Sequence, residues 1–205
     1  MKTSFDLFGQ SYILYLQKLK KPHEWTCGIT SRIVGTNLHI LLMDYDIIRE
    51  DYLMDELEYL QDIFRLGNFY VFRTRLDKES SEYKLDGVKV KKYSIGGYHC
   101  ICLDVDTLRN NLLVLRSSSS DYAFINAPSY NPEKHWVLRM VEKGKRGAPE
   151  YIGVVESEYE GEKPQSLFHA RILDDMFDLK IEQTLKNPLG NEDGILDYYN
   201  TAKRV

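Results

Sequence analysis

The stretch LHILLMDYDIIREDYLMDELEYLQDIFRLGNFYVFRTR, residues 38–75, decides the fold because its hydrophobic periodicity changes twice along its length. LHILLMDYD (38–46) is an apolar run typical of a buried strand, and NFYVFRTR (68–75) is rich in β-forming residues. The segment between them predicts a helix capped by Asp51 and stopped by Gly67, with apolar residues at helical spacing: Leu53, Leu57, Leu60 and Phe64. The stretch therefore predicts strand, helix, strand.

The following residues extend this pattern. SIGGYHCICLDV (94–105) predicts a third strand, and a second helix is expected after Asp106 or Thr107, with Leu108, Leu112 and Leu115 on one side. DYAFINA (121–127) predicts a fourth strand. This order is that of the split βαβ unit of ferredoxin-like and RNA-recognition (RRM-like) folds. We therefore predict an α+β fold with an RRM-like palm, in which the first and third strands lie side by side and parallel, with both helices on one face.

Segments outside the palm predict additional elements. Residues 1–21 place aromatic and aliphatic residues at helical spacing and predict an amphipathic helix that packs on the domain. Strands are also expected at 26–34, where a hairpin forms with 38–46, and at 136–143 and 151–157, and a helix is expected near 166–178. Without repeats or a proline-rich linker, residues 1–205 are predicted to form a single domain, with a core at about 26–157 and a helical, acidic tail at about 158–205.

Charge is unevenly distributed along the chain. The formal net charge is −4, which excludes a protein that coats nucleic acid by charge alone. Residues 44–62 carry eight acids and one base, residues 65–100 carry eight bases and four acids, and residues 150–178 carry eight acids and two bases. Segregated charge of this kind suits a site in which an acidic centre faces basic surroundings.

The cysteines and the N-terminal segment indicate the cellular compartment in which the protein is expected. Cys27, Cys100 and Cys102 lack the number and spacing of a disulfide framework or a zinc finger, which favours a reducing compartment. The N-terminal segment has no continuous apolar core, so a signal peptide is not expected. We expect a cytoplasmic protein that does not associate with membranes.

Three acids are candidate metal ligands. Asp44 and Asp46 are two residues apart on a strand, so their carboxylates are expected on one face, where they repel each other unless a cation such as Mg²⁺ or Mn²⁺ lies between them. A pair of this kind by itself is most often a solvated strand end. Asp121, after the second predicted helix, is the candidate third carboxylate. Alternatives for that third position are Asp104, Asp106 and Glu142.

His99 strengthens the case for a site. It belongs to the strand expected beside that of Asp44, and by alternation it faces away from Tyr98. Gly96 and Gly97 precede it and permit close approach of a phosphate or of another backbone. Ordinary interpretations of these residues are a buried core histidine and a simple β-bulge.

Basic residues are expected around this centre. Arg139 and Lys143 are four residues apart on a predicted strand, and Arg73 and Arg75 alternate on the strand expected next to that of His99. Three more bases precede the glycines: Lys89, Lys91 and Lys92. Phosphoryl transfer assisted by a metal ion needs carboxylates for the cation and bases for the phosphates, although a basic hairpin in solvent is the ordinary alternative.

Taken together, these residues resemble the motifs of the archaeo-eukaryotic primase (primase-polymerase) superfamily. The resemblance covers roughly residues 38–145 and consists of ILLMDYD, SIGGYHCIC and an acid after the intervening helix, followed by a basic stretch. It implies a site with two Mg²⁺ or Mn²⁺ ions held by Asp44, Asp46 and Asp121. It further implies that His99, Arg139 and Lys143 hold the triphosphate. With Gly97, Arg73 and Arg75, whose positions suggest the same role, they form the candidate nucleotide-binding set.

The resemblance implies a DNA primase or polymerase that joins nucleoside triphosphates on a single-stranded DNA template. No zinc module or P-loop helicase segment is apparent, so the expected partners include a helicase or a primase accessory subunit. Three alternatives remain open: a non-catalytic RRM-like nucleic-acid-binding module, an inactive primase-like subunit, and a metal-dependent nuclease that uses the same carboxylates.

Overall fold

The computed structural model of this chain is a mixed α+β protein whose main sheet curls into a half-barrel. It describes residues 2–7, 10–15, 28–33, 35–79, 84–85, 88–89, 94–142 and 147–189, and the side chains of 28–33, 35–76, 94–142 and 147–189. The fold class predicted from the sequence is confirmed at the level of mixed helices and sheet.

The elements alternate along the chain. The strands are β1 (Lys2–Leu7), β2 (Gln10–Tyr15), β3 (Gly28–Thr30), β4 (Leu38–Arg49), β5 (Phe69–Glu79), β6 (Lys84–Leu85), β7 (Val88–Lys89), β8 (Ser94–Thr107), β9 (Val137–Arg139), β10 (Glu150–Val155), β11 (Gln165–Ser166) and β12 (Pro188–Leu189). The helices are α1 (Glu50–Phe64), α2 (Leu108–Arg116), α3 (Tyr122–Tyr130) and α4 (Leu167–Phe177), followed by a 3₁₀ turn at Ile181–Thr184.

The main sheet places β8 at its centre. β8 pairs with β4 on one side and with β5 on the other, and β10 pairs with β5. The predicted neighbourhood of the first and third strands is confirmed, but their predicted parallel direction is wrong because β4 and β8 run antiparallel. β4 and β5 each run antiparallel to β8 and so parallel to each other, as expected when a strand is inserted between the two strands of a βαβ crossover.

The sheet has two faces of different character. Residues directly opposite each other on neighbouring strands share a face, so Tyr45 and Tyr98 lie on one face and Asp44 and His99 on the other. The hydroxyl of Tyr45 donates to Glu56 of α1 at 2.9 Å. We call this side the helix face and the side of Asp44 and His99 the site face.

α1 packs on the helix face through its apolar stripe. Leu53, Leu57 and Leu60 are fully buried, as their spacing predicts. The helix begins at Glu50 without a side-chain cap, one residue before Asp51, and ends with Arg65 in the left-handed conformation (φ 49°). α2 agrees with the prediction more closely, because Thr107 caps it by accepting from the Asn110 amide.

A second layer covers much of the site face. Phe72, opposite His99 on β5, is buried against Phe177 of α4 and Tyr151 of β10, with ring centroids 4.8 and 5.5 Å away. His169 of α4 lies 2.9 Å from the carbonyl oxygen of Thr30 in β3 and ties α4 to that strand. The core therefore lies on both sides of the sheet.

Two predicted elements are wrong. Residues 2–7 and 10–15 form the antiparallel pair β1 and β2, with Phe5 opposite Tyr12, and do not form an N-terminal helix. Their Thr, Ser, Phe, Tyr and Ile content favours strands, and cross-strand pairing outweighed the helical spacing. Residues 121–127 lie in α3 rather than in a fourth strand, because Asp121 caps a helix whose buried residues are Phe124, Ile125 and Pro128.

The other predictions are met to different extents. Residues 31–33 pair with the start of β4, as the predicted hairpin requires. β10 and α4 lie where the sequence predicts strand 151–157 and helix 166–178, whereas the strand at 136–143 is reduced to β9. Cys100 and Cys102 are buried free thiols, and residues 190–205 of the predicted tail lie outside the described part.

Among the described residues, no helix combines the length and the apolar character needed to cross a lipid bilayer.

Candidate functional site

The site is centred on two side chains from neighbouring strands. Asp44 of β4 lies directly opposite His99 of β8, and Asp44 Oδ1 is 3.5 Å from His99 Nε2. The histidine side chain is 7 % exposed and the aspartate side chain 30 %. The pair therefore presents a carboxylate to solvent that is backed by a buried imidazole.

His99 is neutral at physiological pH. Burial lowers the pKa of its imidazole to about 3, and the positive charge of Arg139 adds to this effect. Because Nε2 faces a carboxylate oxygen, we assign the single ring proton to Nε2. Nδ1 is buried and has no hydrogen-bond partner among the described residues. The imidazole thus orients Asp44 as a donor and adds no positive charge to the site.

The structure brings Asp121 to the outer edge of β4. Its backbone N–H donates to the carbonyl oxygen of Asp44 at 2.7 Å. The sequence predicts that residue 121 flanks β4 on the side away from His99, and this position is confirmed, although the segment is a helix start rather than a strand. The carboxylate of Asp121 accepts from the Phe124 amide at 2.7 Å, so it also serves as the cap of α3.

Glu56 holds this segment in place and was not identified from the sequence. Its carboxylate accepts from the Tyr45 hydroxyl, and also from the Ser119 amide at 2.8 Å and the Ser119 hydroxyl at 2.5 Å. These bonds join α1, β4 and the residues before Asp121. The only sequence feature that could have pointed to Glu56 is its position directly before Leu57, which belongs to the apolar stripe of α1.

Arg139 approaches from the second layer. It ends β9, where it pairs with Gly28 of β3, and its guanidinium donates to the carbonyl oxygens of Val141 and Gly147, the latter at 3.1 Å. Its charge is near enough to lower the pKa of His99. The resemblance groups Arg139 with His99 as residues that hold a triphosphate, and this placement is compatible with that grouping.

Arg75 and Gly97 lie beside each other on the site face. Gly97 is the residue before Tyr98, so it belongs to the site face, and Arg75 is its partner on β5. The Arg75 guanidinium donates to the Asp46 carbonyl oxygen at 2.7 Å. A Cβ on Gly97 would lie 3.2 Å from the carbonyl oxygens of both Tyr45 and Asp46. Gly97 thus permits the close approach of β4, which is a structural role.

Asp46 occupies an irregular part of β4. The register with β8 shifts between Tyr45 and Ile48, so Asp46 and Ile47 form a bulge, and both are exposed. The bulge begins two residues after Asp44. Both predicted acids are accessible to solvent, but Asp46 does not follow Asp44 on a regular strand.

Other predicted site residues are placed elsewhere or are not described. Arg73 lies on the helix face opposite Tyr98 and forms an ion pair with Glu150 at 2.7 Å, so the structure does not bring it to the cluster. Lys143, Lys91 and Lys92 lie outside the described residues, as does the side chain of Lys89. The basic surroundings that can be located consist of Arg75 and Arg139.

Two of the acids considered as alternatives for the third metal ligand form their contacts away from Asp44. Asp104 accepts from the Gly67 amide at 2.7 Å, and Asp106 lies 3.5 Å from the ammonium group of Lys163. Asp121, in contrast, lies beside Asp44, to which it is linked by a backbone hydrogen bond. Its position agrees best with the predicted third ligand.

The carboxylates suit a divalent cation only in part. Hard oxygen donors at Asp44 and Asp46 match Mg²⁺ or Mn²⁺. Within the described ranges, no three His, Cys, Asp or Glu side chains are grouped closely enough to hold a metal ion together. Mg²⁺ is commonly held by one or two carboxylates together with substrate phosphates. The residues therefore fit an ion that arrives with an anionic substrate.

Comparisons of the chain with protein-family models, with curated proteins and with solved structures give no match.

Proposed function

We propose that this chain is a metal-dependent nucleotidyltransferase of the primase-polymerase type, which joins nucleoside triphosphates on a single-stranded DNA template. In this proposal β4, α1, β5, β8 and α2 form the greater part of an RRM-like palm. Asp44, Asp46 and Asp121 supply carboxylate oxygens, and Arg75 and Arg139 supply positive charge for the triphosphate.

The observation that supports the proposal most strongly is the convergence of residues from four separate segments. Asp44 lies 3.5 Å from His99, its carbonyl oxygen accepts from Asp121, and the charge of Arg139 reaches His99. These residues lie in β4, in β8, at the start of α3 and in β9. Their order and types are those on which the resemblance to primase-polymerases rests.

The proposed roles follow from charge and protonation. A divalent ion at such a site lowers the pKa of an attacking hydroxyl and offsets charge on the transferred phosphate. Neutral His99 donates from Nε2 and orients the Asp44 carboxylate. Arg75 and Arg139 neutralise the remaining phosphate charge by hydrogen bonding.

The decisive experiment measures incorporation of labelled ribo- and deoxynucleoside triphosphates with Mg²⁺ or Mn²⁺, on single-stranded templates with and without a primer. We expect incorporation by the natural sequence and at least a hundredfold loss in the double variant Asp44→Asn, Asp46→Asn, because both carboxylate charges are removed. Glu58→Gln is the matched control, since Glu58 is exposed on α1; its activity is expected to be unchanged.

Two outcomes would overturn the proposal. The first is absence of incorporation under every combination of nucleotide, metal and template. The second is full activity in the double variant. Template cleavage without incorporation would point instead to the nuclease alternative.

The packing of the site face weighs against a purely RRM-like binding module. Such modules stack bases on exposed aromatic residues of the central strands. Here Phe72 on the site face is buried beneath Phe177, and the aromatic residues Tyr45 and Tyr98 point towards α1. Binding of single-stranded DNA that persists after chelation, without incorporation, would favour that module instead.

A further inference from the structure

The segment 156–164, which we call the strap, joins β10 to β11 and is attached to the end of α1. The Ser157 hydroxyl donates to the Leu66 carbonyl oxygen at 2.6 Å, and the Ser157 amide donates to the Asn68 side chain at 2.8 Å. Glu162 forms an ion pair with Arg65 at 2.6 Å. The strap is thus held mainly by polar contacts with residues 65–68.

Two buried carboxylates meet beneath the strap. Glu160 of the strap accepts from the Asn68 amide at 2.6 Å and from the Gln165 side chain at 2.5 Å. Asp104 of β8 accepts from the Gly67 amide through Oδ2. A Cβ on Gly67 would collide with Glu160 Oε2 and lie 2.8 Å from Asp104 Oδ1, so both oxygens surround the same α-carbon.

Asp104 has one oxygen that lacks a partner. The residue is 2 % exposed, and its Oδ1, which points towards Gly67 and Glu160, has no hydrogen-bond partner among the described residues. Both oxygens of Glu160, in contrast, accept from N–H donors. An added proton on Asp104 removes one of two neighbouring negative charges, so the geometry favours a protonated Asp104.

Other groups near Asp104 act against burial and against the repulsion from Glu160. The Lys163 ammonium group lowers the pKa of Asp104, but it also contacts Asp106 at 3.5 Å and the Phe64 carbonyl oxygen at 3.3 Å. The Cys102 thiol is neutral, because burial raises its pKa. Tyr70, whose pKa is raised by burial and by Glu160, is neutral as well. Burial raises the pKa of Asp104 to about 7 and outweighs the Gly67 hydrogen bond and the Lys163 charge, which lower it. The charge of Glu160 adds a smaller upward effect, and the Cys102 side chain a smaller downward one.

We propose that Asp104 and Glu160 form a proton-controlled lock that holds the strap on the sheet when Asp104 is protonated and releases it when Asp104 loses its proton to solvent. Release separates the two like charges, because Glu160 moves with the strap while Asp104 stays on β8. The strap leads through β11 into α4, whose Phe177 covers Phe72 beside His99.

The sign of the effect follows from linkage. A carboxyl group with a pKa of about 7 in the closed state and an ordinary pKa in the open state stabilises the closed state at low pH, and this contribution declines as pH rises through 7. Between pH 6 and pH 8 the opening equilibrium constant is expected to increase about tenfold.

Amide hydrogen exchange read by NMR tests the lock on the full chain. The reporters are three backbone amides at the strap: that of Gly67 donates to Asp104, that of Asn68 to Glu160, and that of Ser157 to the Asn68 side chain. The measured exchange rates are corrected for the intrinsic pH dependence of exchange. We expect protection to fall about tenfold from pH 6 to pH 8. Asp104→Asn stays neutral and should keep its protection at pH 8.

Two further variants complete the test. Glu158→Gln removes an exposed strap acid that has no contact with Gly67, and it should behave like the natural sequence. Glu160→Gln removes the neighbouring charge and should move the midpoint to lower pH, which keeps the test informative if Asp104→Asn does not fold. Protection that is independent of pH between 6 and 8, or an unchanged midpoint in Glu160→Gln, would overturn the proposal whether or not the chain incorporates nucleotides.

Discussion

At the scale of single residues, the surroundings decide what His99 and Gly97 do. A histidine in a strand is compatible with a cation, a metal ligand or a core residue. Burial and the nearby Arg139 make His99 a neutral donor to Asp44. Gly97, expected from the sequence to admit a phosphate or another backbone, lies where β4 comes close to β8.

Gly97→Ala should therefore destabilise the fold. Its methyl group would lie 3.2 Å from two backbone oxygens of β4 and 2.6 Å from Thr74 Oγ1, and the backbone atoms cannot rotate away. We expect a loss of about 1–3 kcal/mol in the free energy of unfolding, measured by urea denaturation. Gly147→Ala, with no atom within 4 Å of its added methyl group, is the control. Equal midpoints for the two variants would contradict the assignment.

At the scale of elements, α3 shows how one residue serves two purposes. Asp121 caps the helix through its carboxylate and fixes the helix to β4 through its amide. The serines before it and the acid at the cap are a helix-start signal. The expectation of a strand from YAFINA gave more weight to β-propensity than to this cap, and the packing of Phe124 and Ile125 favoured the helix.

Substitution of Asp121 separates its cap from its proposed role in metal binding. Asp121→Ala should lower the free energy of unfolding by about 1 kcal/mol, because the Phe124 amide loses its acceptor. Asp121→Asn keeps a capping oxygen and should retain most of that stability. If Asp121 is a metal ligand, Asp121→Asn should nevertheless lose nucleotide incorporation by at least tenfold in the labelled-nucleotide assay. Full activity of this stable variant would assign the residue to the cap alone.

At the scale of the whole molecule, buried titratable groups control acid stability. Burial lowers the pKa of His39 and of His169 to about 4 and that of His99 to about 3. The unfolded chain binds protons at these histidines near pH 6.5, whereas the folded chain does not, so stability falls as pH drops through this range. Asp104, with its raised pKa, has the opposite effect.

The net effect near pH 5 is about two extra protons bound by the unfolded chain. We expect the free energy of unfolding to fall by about 3 kcal/mol per pH unit there, measured by urea denaturation at several pH values. His169→Asn removes one of these protons and should reduce the slope by about 1.4 kcal/mol per pH unit. Equal stability at pH 7 and pH 5 would show that these histidines are not neutral in the folded chain.

The sequence by itself determined the elements whose periodicity is strong. The stripe of α1, the cap of α2 and the long strands β4, β5 and β8 follow from local spacing. Such features depend on neighbours within one or two turns or on alternation, which a sequence displays directly.

Only the tertiary structure decided the remaining features. The hairpin of β1 and β2, the helix at Asp121, the placement of Arg73 on the helix face and the meeting of Asp104 with Glu160 depend on long-range pairing, a bulge and burial. These features are set by packing and by the dielectric surroundings, which act between residues distant in the chain and therefore leave no local pattern. The sequence chose the candidate residues, whereas the fold set their protonation and their neighbours.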